Sequence, residues 1–515
     1  DLIVGGNTEF VADDFSELRV VKSNNTLRLM PGSVLWLKGN STLRIESGAQ
    51  LIVEHGASLR FSDKAKLVLE GSESFLHVKG LLKLDSGYEF RPLPDRFGEV
   101  GLLKFTNMGY GFGQARISYG KNCSFILKGN GKNANRNLQL EGRYNLTEEE
   151  VGQSFKRFII SQSKVCFGPL SNLKMDGNVS LTESSIEAVE WDKGYCGSIY
   201  YRGDNGEFSD LSFNRLDTAL SIKRKTFDGT QEVDQLSFYQ CKLGFQGIQL
   251  ELYMENCEFE GCKTGVDLLG VRNETLLRDC RFDINLTAIN VSNRSEKDGK
   301  LILQRNEIYE NEIGLNTDKV YSTLFCNRFG GNSKAIKSYR TVIYMDDQKR
   351  RRSKWLNKYV GGGLNVFTQN KITSVELDQA EIFADGGNVF HQNMSLYAGE
   401  PFISGDFRVN ESKSYYNYDN GRIDIGKNRF YPLSLDFSSD TLNDYFIQLT
   451  RNKGIQKLKA TGRFMKYYEG AACEFKAKTG DVMHKRYNNL DEEERTSIEK
   501  PLVIGLSNAL LFKKS

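Results

Sequence analysis

The sequence predicts an all-β chain wound into a right-handed parallel coil, a solenoid, with a short helical insertion and a C-terminal cap or small appended domain. Three observations predict it. Apolar residues return every eight positions near the N-terminus, a longer unit recurs in the middle, and the composition is that of a folded chain poor in proline. Of 515 residues, 49 are Gly and 7 Pro, with 39% hydrophobic, 26% charged, 32 Phe and 23 Tyr. Such a chain has ample core material and is neither disordered nor collagen-like. A formal net charge of +3 gives no bulk attraction to nucleic acid or an anionic membrane. No run approaches the roughly 18 apolar residues of a membrane-spanning helix.

Residues 1–25 are expected to cover the first end of the coil. From there one column runs Leu27, Leu35, Leu43, Leu51, Leu59, Leu67, and a second runs Leu29, Leu37, Ile45, Val53, Phe61, Leu69. Two apolar positions separated by one residue make a short strand of period two, with Arg28, Trp36, Arg44, Ile52, Arg60 and Val68 facing outward. Turn residues fill the gaps: Pro31-Gly32, Gly39-Asn40, Ser47-Gly48, His55-Gly56 and Asp63-Lys64. Strands this short suit the sides of a coil better than sandwich hairpins. Three eight-residue sides make a turn of about 24 residues, within the solenoid range. Leu27 then stacks under Leu51, Leu35 under Leu59 and Leu43 under Leu67, and the eight-residue side points to the right-handed coil.

The middle repeat reads Cys257-Glu258-Phe259 with Gly265-Val266, Cys280-Arg281-Phe282 with Ala288-Ile289, Asn306-Glu307-Ile308 with Gly314-Leu315, and Asn327-Arg328-Phe329 with Ala335-Ile336. Its anchors step by 23, 26 and 21 residues. Weaker copies are Phe213 with Ala219-Leu220 and Phe238 with Gly247-Ile248; later echoes are Asn365-Val366-Phe367, Asn388-Val389-Phe390 and Asn428-Arg429-Phe430. One Cys or Asn per unit predicts an inward ladder at a bend, with amides hydrogen-bonding along it and Phe rings stacked in the interior. The nine cysteines show no CxxC and no zinc spacing, and read as packing residues.

The pattern Asn/Cys-x-Phe followed by Gly/Ala and Ile/Val resembles the right-handed parallel β-helix of the pectate-lyase-like superfamily. The eight-residue opening resembles the N-terminal coils of large exported, cell-surface β-helix proteins of Bacteroidota. The resemblance covers residues 26–430, with the coil expected over 26–435, and implies a secreted or cell-surface protein, with glycans or surface and secretion-apparatus proteins as partners. The opening at Asp1, without Met or a leader, fits an exported chain whose leader has been removed.

Two interruptions are expected, near 128–160 and 340–364. Thr147-Glu148-Glu149-Glu150 is a capping box, predicting a short helix over 148–159. The second carries Lys349, Arg350, Arg351, Arg352, Lys354 and Trp355, a candidate binding cluster. Both place aromatic and basic residues together (Tyr144, Phe155, Lys156, Arg157, Tyr344, Trp355), which makes them the expected partner-binding segments. Beyond 436 the repeat fades, and residues 436–515 are expected to cap the other end.

Catalytic signals are sparse. Asn316-Thr317-Asp318 resembles the Asn-Thr-Asp of polygalacturonases, and Asp346-Asp347 follows, so Asp318, Asp346 and Asp347 are the weak candidates for a hydrolase or lyase. The Gly-His-Gly and Arg-x-Lys of that family are missing: His391 precedes Gln392, and Arg422-Ile423-Asp424 ends in Asp. His55, His77, His391 and His484 show no metal spacing, and no cofactor or metal is expected. Thr218 and Thr441 lie in sequences resembling the O-glycosylation sequon of Bacteroidota, and Asn-x-Ser/Thr occurs eleven times, including Asn40, Asn145, Asn178, Asn285 and Asn410. Two functions are therefore open: a non-catalytic adhesin, stalk or binding scaffold, and, second, a carbohydrate-active enzyme, with a phage or viral tailspike as a variant of either.

Overall fold

In the computed structural model the description covers residues 2–432 apart from several internal segments, the longest being 107–115, 394–406 and 411–422, with side chains described as far as Ala380. The chain divides into two units, Asp1–Leu269 and Gly270–Ser515. Each is a stack of short parallel strands wound as a solenoid, about 12 turns in all.

In the first unit the eight-residue period becomes three strands per turn: Thr26–Leu29, Val34–Leu37 and Thr42–Ile45, then Gln50–Val53, Ser58–Phe61 and Lys66–Leu69. Their register is the one that the Leu columns predict: Leu27 pairs with Leu51, Leu35 with Leu59 and Leu43 with Leu67. All six leucines are buried, and alternate residues such as Arg28 and Arg44 are half-buried outside. At the corners the backbone needs φ > 0. Gly32 has φ 82°, and a Cβ there would come within 2.9 Å of the Asn7 backbone nitrogen, so only glycine fits.

Residues 2–20 are part of this coil. Leu2–Val4, Glu9–Ala12 and Glu17–Val20 pair in parallel with the following turn through Leu2 and Leu27, Phe10 and Leu35, and Leu18 and Leu43. The predicted cap is thus built on the coil's own register. Its outer side leaves Ile3, Phe10, Val11, Phe15 and Val21 exposed.

Farther along, each corner shrinks to one left-handed residue. Gln240 (φ 50°) precedes Cys241 in the first unit; Ile284 (φ 56°), Arg305 (φ 56°) and Glu310 (φ 54°) precede Asn285, Asn306 and Asn311 in the second. Such a residue turns the chain sharply, and the next side chain then points inward. The interior fills with rings in the same register. Phe213, Phe238 and Phe259 stack at 4.8 and 4.6 Å, within 6° and 5° of parallel. In the second unit Phe282, Ile308, Phe329 and Phe367 share a column, with Phe329 and Phe367 stacked at 4.9 Å. These distances equal the strand spacing of about 4.8 Å, so backbone pairing and ring stacking are satisfied together.

The predicted Asn ladder is present in the second unit, and it is double. Asn306, Asn327 and Asn365 form one file; Asn285, Asn311, Asn332 and Asn370 form another, five residues later in each turn. Where Asn follows Asn, the Oδ1 accepts from the backbone N–H and side-chain amide of the preceding turn, as Asn327 does from Asn306 at 3.0 Å each; Asn306 accepts the Cys280 N–H alone at 3.0 Å. Each Nδ2 also reaches a carbonyl: Asn327 to Leu303 at 2.8 Å and Asn332 to Ile308 at 2.9 Å.

Four expectations need correction. The small residue six positions after Phe238 is Gly244, and Phe245 pairs with Leu220 and Val266, so Gly247-Ile248 is not the equivalent pair. The helix spans only Glu148–Val151; Arg157–Ser161 is a coil strand, because Phe158 and Ile160 alternate into the core. The segment 128–160 is largely coil, with strands Arg136–Glu141 and Arg143–Leu146 pairing Leu138 with Leu103 and Tyr144 with Leu173. Tyr144, Phe155 and Tyr344 are buried, Phe155 stacking on Tyr119 at 3.7 Å, so they cannot anchor a partner. The second interruption contains an antiparallel pair, Arg351–Ser353 with Lys358–Val360. Coil pairing resumes beyond it and continues to Arg429–Pro432; the region 436–515 lies outside the described residues.

Replacing Asn327 with Ala strands the Asn306 N–H and the Leu303 carbonyl in the core. The expected loss is about 3–5 kcal/mol in urea unfolding. A loss below about 1 kcal/mol would show that the ladder is packing rather than hydrogen bonding.

Candidate functional site

A polar network of the first unit stands on the outer face of one sheet. Parallel register brings His77, Lys104, Gln139, Cys166 and Glu187 into one outward file across successive turns. Thr106 and Glu141 pair alongside. His77 Nε2 lies 2.8 Å from Thr106 Oγ1, which donates to Glu141 Oε2 at 3.0 Å. The other oxygen of Glu141 takes Lys104 Nζ at 2.7 Å and Gln139 Nε2 at 2.6 Å. Higher in the file, Lys164 reaches Glu187 at 3.0 Å, with the Cys166 thiol 3.6 Å from the same oxygen.

Electrostatics decide what this network can do. Burial opposes ionisation of Glu141, but Lys104, Thr106 and Gln139 outweigh it and hold the carboxyl below its ordinary value. An ionised carboxylate only accepts, so Thr106 gives it the hydroxyl proton and His77 must donate through Nε2–H. That is the reverse of a nucleophile and its base. Burial, then Lys104 and Lys79, push His77 down to about 4, which keeps the imidazole neutral at neutral pH. Burial, then Glu187, push the Cys166 thiol up to about 12. With Glu141 held low, His77 neutral and the Cys166 thiol pushed up, the network joins turns.

The same holds elsewhere on the outer faces of this unit. Glu54 lies between Arg28 of one turn and Lys79 of another, and Arg44 between Glu17 and Glu70. Arg60 pairs with Asp85 at 2.8 Å while its guanidinium lies 3.8 Å over the Trp36 ring. A second outward file, Lys174, Tyr200, Ser221, Gln246 and Asp267, runs in register down another sheet. Ser221 donates to Gln246 at 2.9 Å, and Gln246 to Asp267 at 3.2 Å. Beside it Tyr195 is exposed, with Lys263 5.4 Å over its ring.

The residues singled out from sequence fall elsewhere. Asp318 ends the strand Ile313–Asp318, between Ser292 and Tyr339 in register, and its Oδ1 is buried without a hydrogen-bond partner. Asp346, Asp347, Arg350, Trp355 and Thr441 lie outside the described residues; Arg351 and Arg352 lie in the antiparallel strand, their side chains undescribed. Thr218 is 8% exposed within a strand, and Asn285 is 2% exposed inside the ladder, so neither offers an oxygen or amide to a glycosyl donor. Among the described residues no group of three or more His, Cys, Asp or Glu could hold a metal ion, and no helix is long and apolar enough to cross a membrane. The His77 network was missed because its members are spaced by long, unequal turns. The available signal was the outward position between two inward residues, as in Leu76-His77-Val78 and Leu103-Lys104-Phe105.

Stability should carry the mark of His77. Its unfolded value is about 6.5 and its folded value about 4, so between these the unfolded chain binds the extra proton. Stability therefore falls as pH drops from about 6.5 toward 4 and levels off below, by about 1–2 kcal/mol after allowance for solvent screening. Glu141 and Glu54 are held low, and their contributions are lost only in more acid solution, as pH falls through their folded values. Melting midpoints of wild type and His77→Gln across this window test the assignment; identical slopes would remove it. Comparison with protein-family models, with curated proteins and with solved structures finds no match to this chain.

Proposed function

We propose that this chain is an exported, secreted or cell-surface right-handed β-helix that serves as a binding scaffold, an adhesin or stalk, and turns over no substrate. The observation that carries this reading is the state of the outer charges in the N-terminal unit. Carboxylates that could act in catalysis, Glu54, Glu141 and Glu187 among them, are each bonded to a cation of a neighbouring turn. A face whose charges are internally neutralised remains free to present hydroxyls, amides and rings. The file Lys174, Tyr200, Gln246 and Asp267, with Ser221 buried within it and Tyr195 at its margin, has the chemistry for a glycan: polar groups in a row and aromatic rings on which sugars stack. Surface or secretion-apparatus proteins of a Bacteroidota-like cell are the other partner class, with the basic segment 349–355 as their contact.

One observation favours a second reading, a polysaccharide hydrolase or lyase. The unpartnered Oδ1 of Asp318 is a buried carboxylate oxygen with spare acceptor capacity. The two readings separate in one experiment. Purified protein is incubated with polyuronates and host polysaccharides, alongside Asp318→Asn, Asp346→Asn and Tyr200→Ala. The scaffold reading expects glycan retention without release of oligosaccharide, weakened about tenfold in Tyr200→Ala by loss of one stacking contact of about 1–1.5 kcal/mol. Release of oligosaccharide that disappears in either Asp→Asn variant would replace it with the enzyme.

A further inference from the structure

Cys241 and Cys262 occupy the same corner of successive turns in the first unit. Phe238 pairs with Phe259, and each cysteine lies three residues beyond its Phe. The Lys263 N–H donates to the Cys241 carbonyl at 3.0 Å, which sets the second corner directly over the first. Equivalent atoms of stacked turns are about 4.8 Å apart, inside the Cα window of roughly 4.4–6.8 Å that a disulfide requires. The side chains also point the same way. The Cys241 thiol faces the Phe213 carbonyl at 3.8 Å and the Cys262 thiol faces the Phe238 carbonyl at 3.7 Å. Each thiol also lies near the carbonyl two residues before it, Cys241 at 3.6 Å from Tyr239 and Cys262 at 3.7 Å from Glu260, so the two side chains sit alike in successive turns. Cys257, five residues before Cys262, is not part of this file. It stands two residues before Phe259, above Leu236, which holds that place before Phe238.

We propose that Cys241 and Cys262 are a modification site, closing to an inter-turn disulfide when the chain folds in contact with a disulfide oxidant. The inference rests on corner geometry alone and is independent of the function proposed above. Before the turn docks neither sulfur is yet shielded, and an ionised Cys262 supplies the attacking thiolate. That thiolate breaks the S–S bond of the oxidant, such as glutathione disulfide, forming a mixed disulfide and releasing one glutathione thiol. Cys241, giving up its proton, then attacks the Cys262 sulfur and expels the second glutathione thiolate, which takes that proton. Two protein thiols are thereby oxidised by two electrons, and one oxidant disulfide is reduced to two thiols. Both sulfurs are shielded in the finished coil, at 0% and 2% exposure, so exchange belongs to the stage when this turn docks.

The test refolds the full chain in a glutathione redox buffer, unfolds it without reductant, alkylates free thiols and maps the peptides. The expected result includes, beside the bridge of Cys326, a cross-linked peptide pair containing Cys241 and Cys262, two hydrogens lighter than the reduced pair. The oxidised protein should melt several degrees above the same protein treated with reductant, and Cys241→Ser should abolish that difference. Alkylation of both residues after oxidative refolding, or capture of either by glutathione or another cysteine, would overturn the proposal. Mapping of the wild type decides the matter even where the serine variant does not fold.

Discussion

The constraint on which the coil depends is the fate of backbone polar groups at its corners. Within a strand the N–H and C=O groups pair alternately with the turn before and the turn after. A corner breaks that ladder and leaves donors and acceptors inside a dry core, where each unpaired group costs about 1–3 kcal/mol. Asn meets the whole requirement with one side chain. Its oxygen accepts the N–H of the turn before, as Asn311 does for Asn285 at 2.8 Å, and its amide serves that turn's carbonyl, as Asn311 does for Phe282 at 3.0 Å. Ser meets part of it: the Ser163 N–H finds Ser184 Oγ at 3.1 Å. Cys meets less, its thiol facing the corresponding carbonyl from farther away, as Cys241 faces Phe213. The identity of the corner residue thus grades how tightly each turn is held to the one before.

Outside the coil the same spacing acts on charge. Residues one turn apart sit close enough to pair, so any face with mixed signs ties itself together. Lys79 and Arg28 on either side of Glu54, and Lys104 on Glu141, are products of this stacking. Surface pairs of this kind are worth up to about 1 kcal/mol each. Their larger effect is to fix the outer side chains of one turn against those of the next.

Much of the coil was legible because two periods coincide with two physical lengths. Eight residues make one side, and three sides bring Leu27 under Leu51. The middle repeat was legible through Phe and Asn, since a ring and an amide stack productively only on their own kind or a near match. Misreadings occurred where corner chemistry resembled loop chemistry. The Gly- and Asn-rich stretch around 129–137 suggested an excursion, yet Asn137 is buried and its amide donates to the Val100 carbonyl at 3.1 Å. The second Asn file was visible as Asn311, Asn332 and Asn370, each five residues after a member of the first. It was overlooked because the anchor pattern was followed toward Phe and then to the small residue beyond. The outer network around His77 was not legible, since outward residues obey no period of identity. Only register decides which of them meet.

That independence explains where such a fold can acquire function. Asn327 accepts its partner across a normal turn of 21 residues, from Asn306, and passes the ladder on to Asn365 across 38. The hydrogen bond is 3.0 Å in the first case and 2.9 Å in the second, so the longer connection leaves no trace in the core. Lengthening a connection between fixed ends costs about 0.6 kcal/mol per doubling, less than one satisfied corner contributes. Any segment placed between a strand and the next Asn corner is therefore nearly free to vary, and the antiparallel pair Arg351–Ser353 and Lys358–Val360 occupies such a place. A coil governed by its corners accepts new segments at those points without renegotiating its interior, which is why its fold can be read from the sequence so far ahead of any function.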